Sequence, residues 1–135
     1  MAYLKNLNTF NSAIGDLNVF ENLIPDDIKR IFYISNVPKD AVRGKHRHHK
    51  TWQALICIQG SCRVYVDDSV QENIYQLDTN TKCLILEPKD WHFMDNFKEN
   101  TILLVIANRY YDQMDYIDEP YSNKYLSHLK QLIVS

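Results

Sequence analysis

Glycine is scarce in this 135-residue chain, where Gly15, Gly44 and Gly60 are the only three. A phosphate-cradling loop of the dinucleotide or Walker type needs several glycines in close succession, so the usual α/β nucleotide folds are excluded. No apolar run approaches the ~20 residues that cross a bilayer as a helix, and the first residues lack a charged-then-apolar leader pattern. Cysteine is equally spare. Cys57, Cys62 and Cys83 form no Cys-x-x-Cys pair and are odd in number. That argues against a disulfide framework and for a reducing compartment, so a cytoplasmic protein is expected. An excess of charge is missing too, since 15 Lys and Arg against 17 Asp and Glu leave −2. Neither nucleic acid nor a membrane is expected as a partner.

What is present is an ordinary globular composition, 45% apolar and 24% charged, at a length that suits one domain over residues 1–135. From Ile31 onward, IFYISNV, TWQALICIQ, CRVYVDD, ENIYQL, CLILE and TILLVIAN follow one another at about ten-residue spacing. Gly60-Ser61, Asp67-Asp68-Ser69, Asp78-Thr79-Asn80 and Lys98-Glu99-Asn100 supply turns between them. The pattern predicts an all-β barrel over about 31–110. Beyond it, Tyr125, Leu126, Leu129, Leu132 and Ile133 recur at helical spacing, which predicts a short C-terminal α-helix over about 121–133. The first thirty residues read as an edge strand or an arm.

Chemistry concentrates in RGKHRHHKTWQ, which begins at Arg43. On a strand, residues two apart share a face, so Gly44, His46 and His48 align while Arg43 falls out of phase. His49 points to the other face. Gln53 needs a turn near His49-Lys50 to come inward. Two imidazoles on one inner wall suit metal binding or proton transfer near neutral pH. A solvated basic turn is the plain alternative.

The spacing is similar to the first cupin motif, with His46-x-His48, then Gln53, then Gly60. The acidic ligand of that motif is here a neutral amide. In the second motif, around Pro88 to Phe93, Phe93 takes the ligand histidine's place, and His92 reads as a mouth or structural residue. A catalytic metal normally has at least three His, Cys or carboxylate ligands, so this register argues for no metal. Both imidazoles are then free to move protons.

VPKDAVRGKHRHHKTWQALICIQGSCRVYVDD, CLILEPKDWHFMDNF and TILLVIANRYYDQMDYI together resemble the WxcM-like cupin sugar 3,4-ketoisomerases. Most specific are the Arg-Gly-x-His-x-His run, the Pro-x-x-Trp segment and the Tyr-Asp-x-x-Asp-Tyr-Ile exit from Tyr111 to Ile117. Arg47 stands where the family usually has Ala, Glu87 where a second Pro is usual, and Asp68-Ser69 where Asp-Gly is common. The resemblance implies a cupin (jelly-roll) β-barrel and a homodimer exchanging amino-terminal strands. It also implies a cofactor-free isomerase that moves the keto group of dTDP-4-keto-6-deoxyglucose from C4 to C3. Such products commonly feed transaminases that make 3-amino sugars for surface glycans.

On this reading His48 is the base at C3 and His46 its partner toward C4. Arg43 meets the pyrophosphate or the enolate, Tyr33 and Gln53 hold sugar oxygens, and Trp91 walls the pocket. For Arg43 and Tyr33 a structural ion pair or core phenol is an equal alternative, and for Trp91 plain packing is the commoner role. Competing functions are a metal-dependent or epimerase-type cupin enzyme and a non-catalytic sugar-binding cupin.

Overall fold

The computed structural model describes residues 1–121, and the helix expected over about 121–133 lies outside the described residues. Each apolar run noted above becomes a strand. β1 (Tyr3–Asn6), β2 (Asn8–Ser12) and β3 (Gly15–Val19) come first, followed by β4 (Arg30–Ser35), β5 (Arg43–His48) and β6 (Gln53–Gln59). β7 (Cys62–Asp67), β8 (Glu72–Leu77), β9 (Lys82–Leu86), β10 (Trp91–Asp95) and β11 (Ile102–Ala107) complete the body. A 3-10 turn, Gln113–Asp115, leads into a two-residue strand β12, Tyr116–Ile117.

The strands form two five-stranded antiparallel sheets rather than one continuous ladder. The first has the order β1-β9-β6-β11-β4 and the second β12-β5-β10-β7-β8, with β2 and β3 as a separate hairpin. The architecture is therefore all-β and cupin-like, with an unpaired seam where β4 and β12 end their sheets. Of the two alternatives for the amino terminus, the structure shows the edge strand, β1 paired on β9, followed by the β2–β3 hairpin.

Strand alternation sorts the side chains into three layers. Leu55, Cys57, Val64, Val66, Leu84, Leu103, Val105 and Met94 face inward and form the core between the sheets. Ala54, Ile56, Cys83, Ile85 and Ile106 face outward from the first sheet but are buried beneath Leu7, Phe20, Leu23 and Ile24. This double coverage explains why β6 reads as an unbroken apolar run. Outward from the second sheet lie Tyr65, Trp91 and Phe93, packed with Val42 and Tyr121.

One turn depends on its glycine. Gly60 has φ +81°, and a Cβ there would collide with the Thr101 hydroxyl and sit 2.8 Å from Thr101 Cα. Thr101 uses that closeness, accepting from Ser61 N and donating to Ser61 O, each at 3.1 Å.

Candidate active site

The histidine strand is not regular, and its irregularity builds the site. Gly44 and Lys45 both have positive φ, +89° and +62°. In the ladder His46 opposes His92 and Gly44 opposes Phe93, so Lys45 is the extra residue of a β-bulge. The bulge shifts the phase, and Arg43 comes onto the same inner face as His46 and His48. The expectation that Arg43 lies out of phase assumed an unbroken strand.

A cavity of about 180 Å³ opens between the sheets, lined by Arg43, His46 and Gln53 with His92, Met94 and Tyr116. Arg30, Gln53 and Tyr116 also line a separate, nearly closed space of about 10 Å³ that His48 and Asp115 border. The main volume is below the ~300 Å³ of a pocket for a drug-sized ligand and matches a single sugar ring, with any larger group left outside.

Three imidazoles meet here. The His46 ring lies 5.1 Å from His48 and 4.9 Å from His92 between centroids. The ring of Tyr116 lies 4.8 Å from His46 and 4.5 Å from His48. Each histidine ties its Nδ1 to an oxygen: His46 to Gly44 O at 3.1 Å, His92 to Asp90 O at 3.0 Å, and His48 to Asp115 Oδ2 at 3.1 Å. Carbonyl and carboxylate oxygens only accept, so Nδ1 carries the proton and each Nε2 keeps a lone pair. His48 Nε2 is buried and has no hydrogen-bond partner among the described residues.

Burial disfavours the protonated form of all three rings. It lowers His46, and with the charge of His46 it brings His48 to about 4 despite the opposing pull of Asp115. His92, wholly enclosed, falls to about 3 for the same reason, burial first and its neighbours second. These depressions make the native state bind fewer protons than the unfolded chain below the ordinary histidine value of 6.5. Their stabilising contribution is present above that pH and is lost as the pH falls toward 4. Burial opposes ionisation of Asp115, but hydrogen bonds from Thr51, Lys50 N and His48 prevail and hold its carboxyl below the usual range.

His46 meets His48 and His92 edge to face, while His48 and His92 lie stacked with centroids 6.3 Å apart, and among the described residues no three His, Cys, Asp or Glu side chains are arranged to hold a metal ion.

The family model for FdtA, described as WxcM-like, C-terminal, matches residues 2–130. The chain belongs to the WxcM-like family. Its similarity to a TDP-4-oxo-6-deoxy-α-D-glucose-3,4-oxoisomerase from Aneurinibacillus thermoaerophilus is 41% identity over 109 residues, covering 77% of this chain and 76% of the relative. Among solved structures it resembles a His-to-Asn variant of the 3,4-ketoisomerase QdtA from Thermoanaerobacterium thermosaccharolyticum in complex with TDP-4-keto-6-deoxyglucose. That match has a TM-score of 0.83 at 36% identity and covers 96% of this chain and 94% of the other. WlaRA, a TDP-fucose-3,4-ketoisomerase from Campylobacter jejuni, matches with a TM-score of 0.81 at 36% identity, over 99% and 98% of the two chains.

Of the residues singled out from sequence, this WxcM-like fold brings His46, His48, Arg43 and Gln53 together. Two others go elsewhere. Tyr33 lies on the outer face of β4 and is 67% exposed, because alternation turns Arg30, Phe32 and Ile34 inward instead. Trp91 is buried in the aromatic layer outside the second sheet, its Nε1 donating to Asp118 O, because His92 and Met94 take the inner positions of β10. Sequence reasoning gave His92 only a mouth or structural role and left out Arg30, Asp115 and Tyr116. The last two lie in the Tyr-Asp-x-x-Asp-Tyr-Ile exit, a signal noted without a role.

Proposed function

We propose that this chain is a 3,4-ketoisomerase acting on TDP-4-keto-6-deoxyglucose, moving its carbonyl from C4 to C3 by histidine-mediated proton transfer. The observation that carries this reading is the pair of imidazoles with Nδ1 tied to oxygen, His46 lining the cavity between the sheets and His48 5.1 Å from it beside that cavity. The activities named for the relatives support the same chemistry.

In the step proposed, His48 Nε2 takes the proton from C3. The C3–H electrons become a C3–C4 double bond, and the C4 carbonyl becomes an enolate oxygen. That oxygen gains a proton and the C3 hydroxyl loses one, forming the new carbonyl as C4 accepts a proton by way of His46. Atoms and electrons balance with no external oxidant. Arg43 or Arg30 offers the charge that steadies the enolate, and a bidentate guanidinium suits either the enolate or a pyrophosphate. Gln53, buried at the first position of β6, offers both a donor and an acceptor to the sugar.

A homodimer fits the apolar surface left uncovered. Ile31 and Tyr33 on the outer face of β4 are 61% and 67% exposed, and Phe10 and Leu17 of the hairpin 61% and 60%. The buried free thiols of Cys57, Cys62 and Cys83 support a reducing, cytoplasmic setting.

The test is turnover of TDP-4-keto-6-deoxyglucose in deuterated water, followed by NMR. Wild type moves the carbonyl to C3; His48→Asn blocks deuterium entry at C3, and His46→Asn admits it there but slows carbonyl transfer. With His46, His92, Arg30, Asp115 and Tyr116 all facing His48, the acid limb of kcat/KM lies well below 6.5, toward the value of about 4. Deuterium at C5 with no carbonyl shift identifies an epimerase instead, and label at no carbon leaves only binding.

A further inference from the structure

We propose that Asp115 is the positioning residue that fixes the tautomer of His48, holding its Nδ1 proton so that Nε2 reaches the substrate as a lone pair. This rests on the reading of His48 as the base and assigns a role to the Tyr111-to-Ile117 segment that the mechanism above leaves unused.

The segment is built to place one carboxylate. Asp112 caps the 3-10 turn by accepting from Met114 N at 3.0 Å, and its carbonyl accepts from Asp115 N, also at 3.0 Å. Asp115 O then accepts from His49 N at 2.9 Å, and the next residue, Tyr116, pairs with His48 in the β12–β5 ladder. A residue 67 positions from His48 in the chain is thereby pinned beside it by backbone bonds on both sides. Its carboxylate is almost enclosed, with a side-chain exposure of 10% against 5% for His48.

The hydrogen-bond partners of this carboxylate are all donors. Oδ1 accepts from Lys50 N at 2.9 Å, and Oδ2 accepts from both Thr51 Oγ1 and His48 Nδ1. A carboxylate meets all three donors by acceptance alone, which an amide cannot do, and this explains why Asp and not Asn stands here. It also fixes what an amide would do. The Lys50 N–H cannot rotate or reverse, so the side chain introduced by Asp115→Asn must keep its oxygen toward Lys50. Its NH2 then faces Thr51, whose hydroxyl turns to accept, and His48 Nδ1, which is left as the lone pair. The imidazole proton moves to Nε2, and the base presents a proton where it needs an electron pair.

Histidine ¹⁵N NMR on the wild-type protein, with His48 assigned from the His48→Asn spectrum, reads the tautomer directly. The expected state is Nδ1–H with Nε2 free. In Asp115→Asn the expected state is Nε2–H, with kcat reduced on the order of 10⁴-fold, by analogy with the tautomer role of the triad aspartate, and KM changed far less. Thr51→Val keeps the carboxylate on His48, so it retains the Nδ1–H signature and loses much less activity. A wild-type Nε2–H tautomer overturns the proposal whether or not Asp115→Asn folds. So does an Asp115→Asn enzyme whose tautomer is unchanged, even if it is inactive, since Asp115 then only supports the 49–51 turn. Full activity in His48→Asn removes the base itself, while the spectra still report whether Asp115 sets the proton on its ring.

Discussion

β5 and β6 are consecutive in the chain and occupy different sheets, and they solve opposite problems. β6 keeps its register from Gln53 to Cys57, where Ala54 to Cys57 are apolar, covered on both faces and at or below 2% exposure, and it slips only at Ile58, near its exposed end. β5 is polar, partly exposed and broken by a bulge, and it carries both proposed catalytic histidines. The contrast separates two kinds of specification. Where burial is the whole purpose, alternation and hydrophobicity suffice; where side chains must converge on a substrate, the backbone departs from the regular pattern and a glycine marks the departure.

The sharpest way to break this comparison is to straighten β5. A Cβ on Gly44 would come within 3.1 Å of His92 O and 3.3 Å of Met94 Sδ, at a φ of +89° that an alanine adopts only with strain. The carbonyl of this residue orients His46, and the bulge sets the phase of Arg43. Gly44→Ala is expected to lower kcat/KM by about 10²-fold, the cost of displacing reacting groups by about an ångström. Its stability cost is expected to stay near 1–2 kcal/mol. Steady-state kinetics beside a denaturation curve reads both; unaltered kinetics would show that the bulge has no part in catalysis.

β6 gives the converse. Ile56 is fully buried on the outward face, away from the cavity. Ile56→Ala is expected to cost about 2–5 kcal/mol in unfolding free energy, through lost transfer energy and the cavity left behind. The kcat of the folded fraction should stay within about twofold, because distant sites act independently. A large kcat effect would mean that the outer layer controls the site.

The same division decides how much was legible. β4, β6, β7, β9 and β11 announce themselves as β-branched runs, and the inward turn before Gln53 follows from the break between β5 and β6. The phase of β4 is not legible, since Ile31 and Tyr33 on one face are as apolar as Phe32 and Ile34 on the other. Only the position of the second sheet turns Phe32 inward and leaves Tyr33 outside. His92 was passed over for a related reason. The motif register pointed to Phe93, but its ladder position opposite Gly44 sends Phe93 outward and His92 onto His46. Asp115 could not be paired with His48 by any local periodicity, because their contact exists only after β12 has docked.

That docking provides the smallest effect and the finest test of the contrast. Arg47 sits between the two histidines on the outward face of β5. Its Nε donates to Glu119 O at 3.2 Å, and its guanidinium lies 3.9 Å from the centroid of the Tyr121 ring. Tyr121 in turn donates its hydroxyl to Lys89 O, and Trp91 holds Asp118 O at 3.0 Å. A partly exposed cation–π contact is worth about 0.5–1 kcal/mol and one hydrogen bond about 0.5–1.5. Arg47→Ala therefore removes about 1–2 kcal/mol from the docking of the segment that carries Asp115 and Tyr116, which raises its open population about five- to thirtyfold. Hydrogen exchange at the His49 and Asp115 amides should quicken by that factor, while the amides of β6 keep their protection. Because Trp91 and the β12–β5 ladder still close the arm, kcat should fall by less than about threefold. Exchange that quickens equally in β6 would show that the arm and the core open as one unit, and the separation drawn between the two strands would not hold.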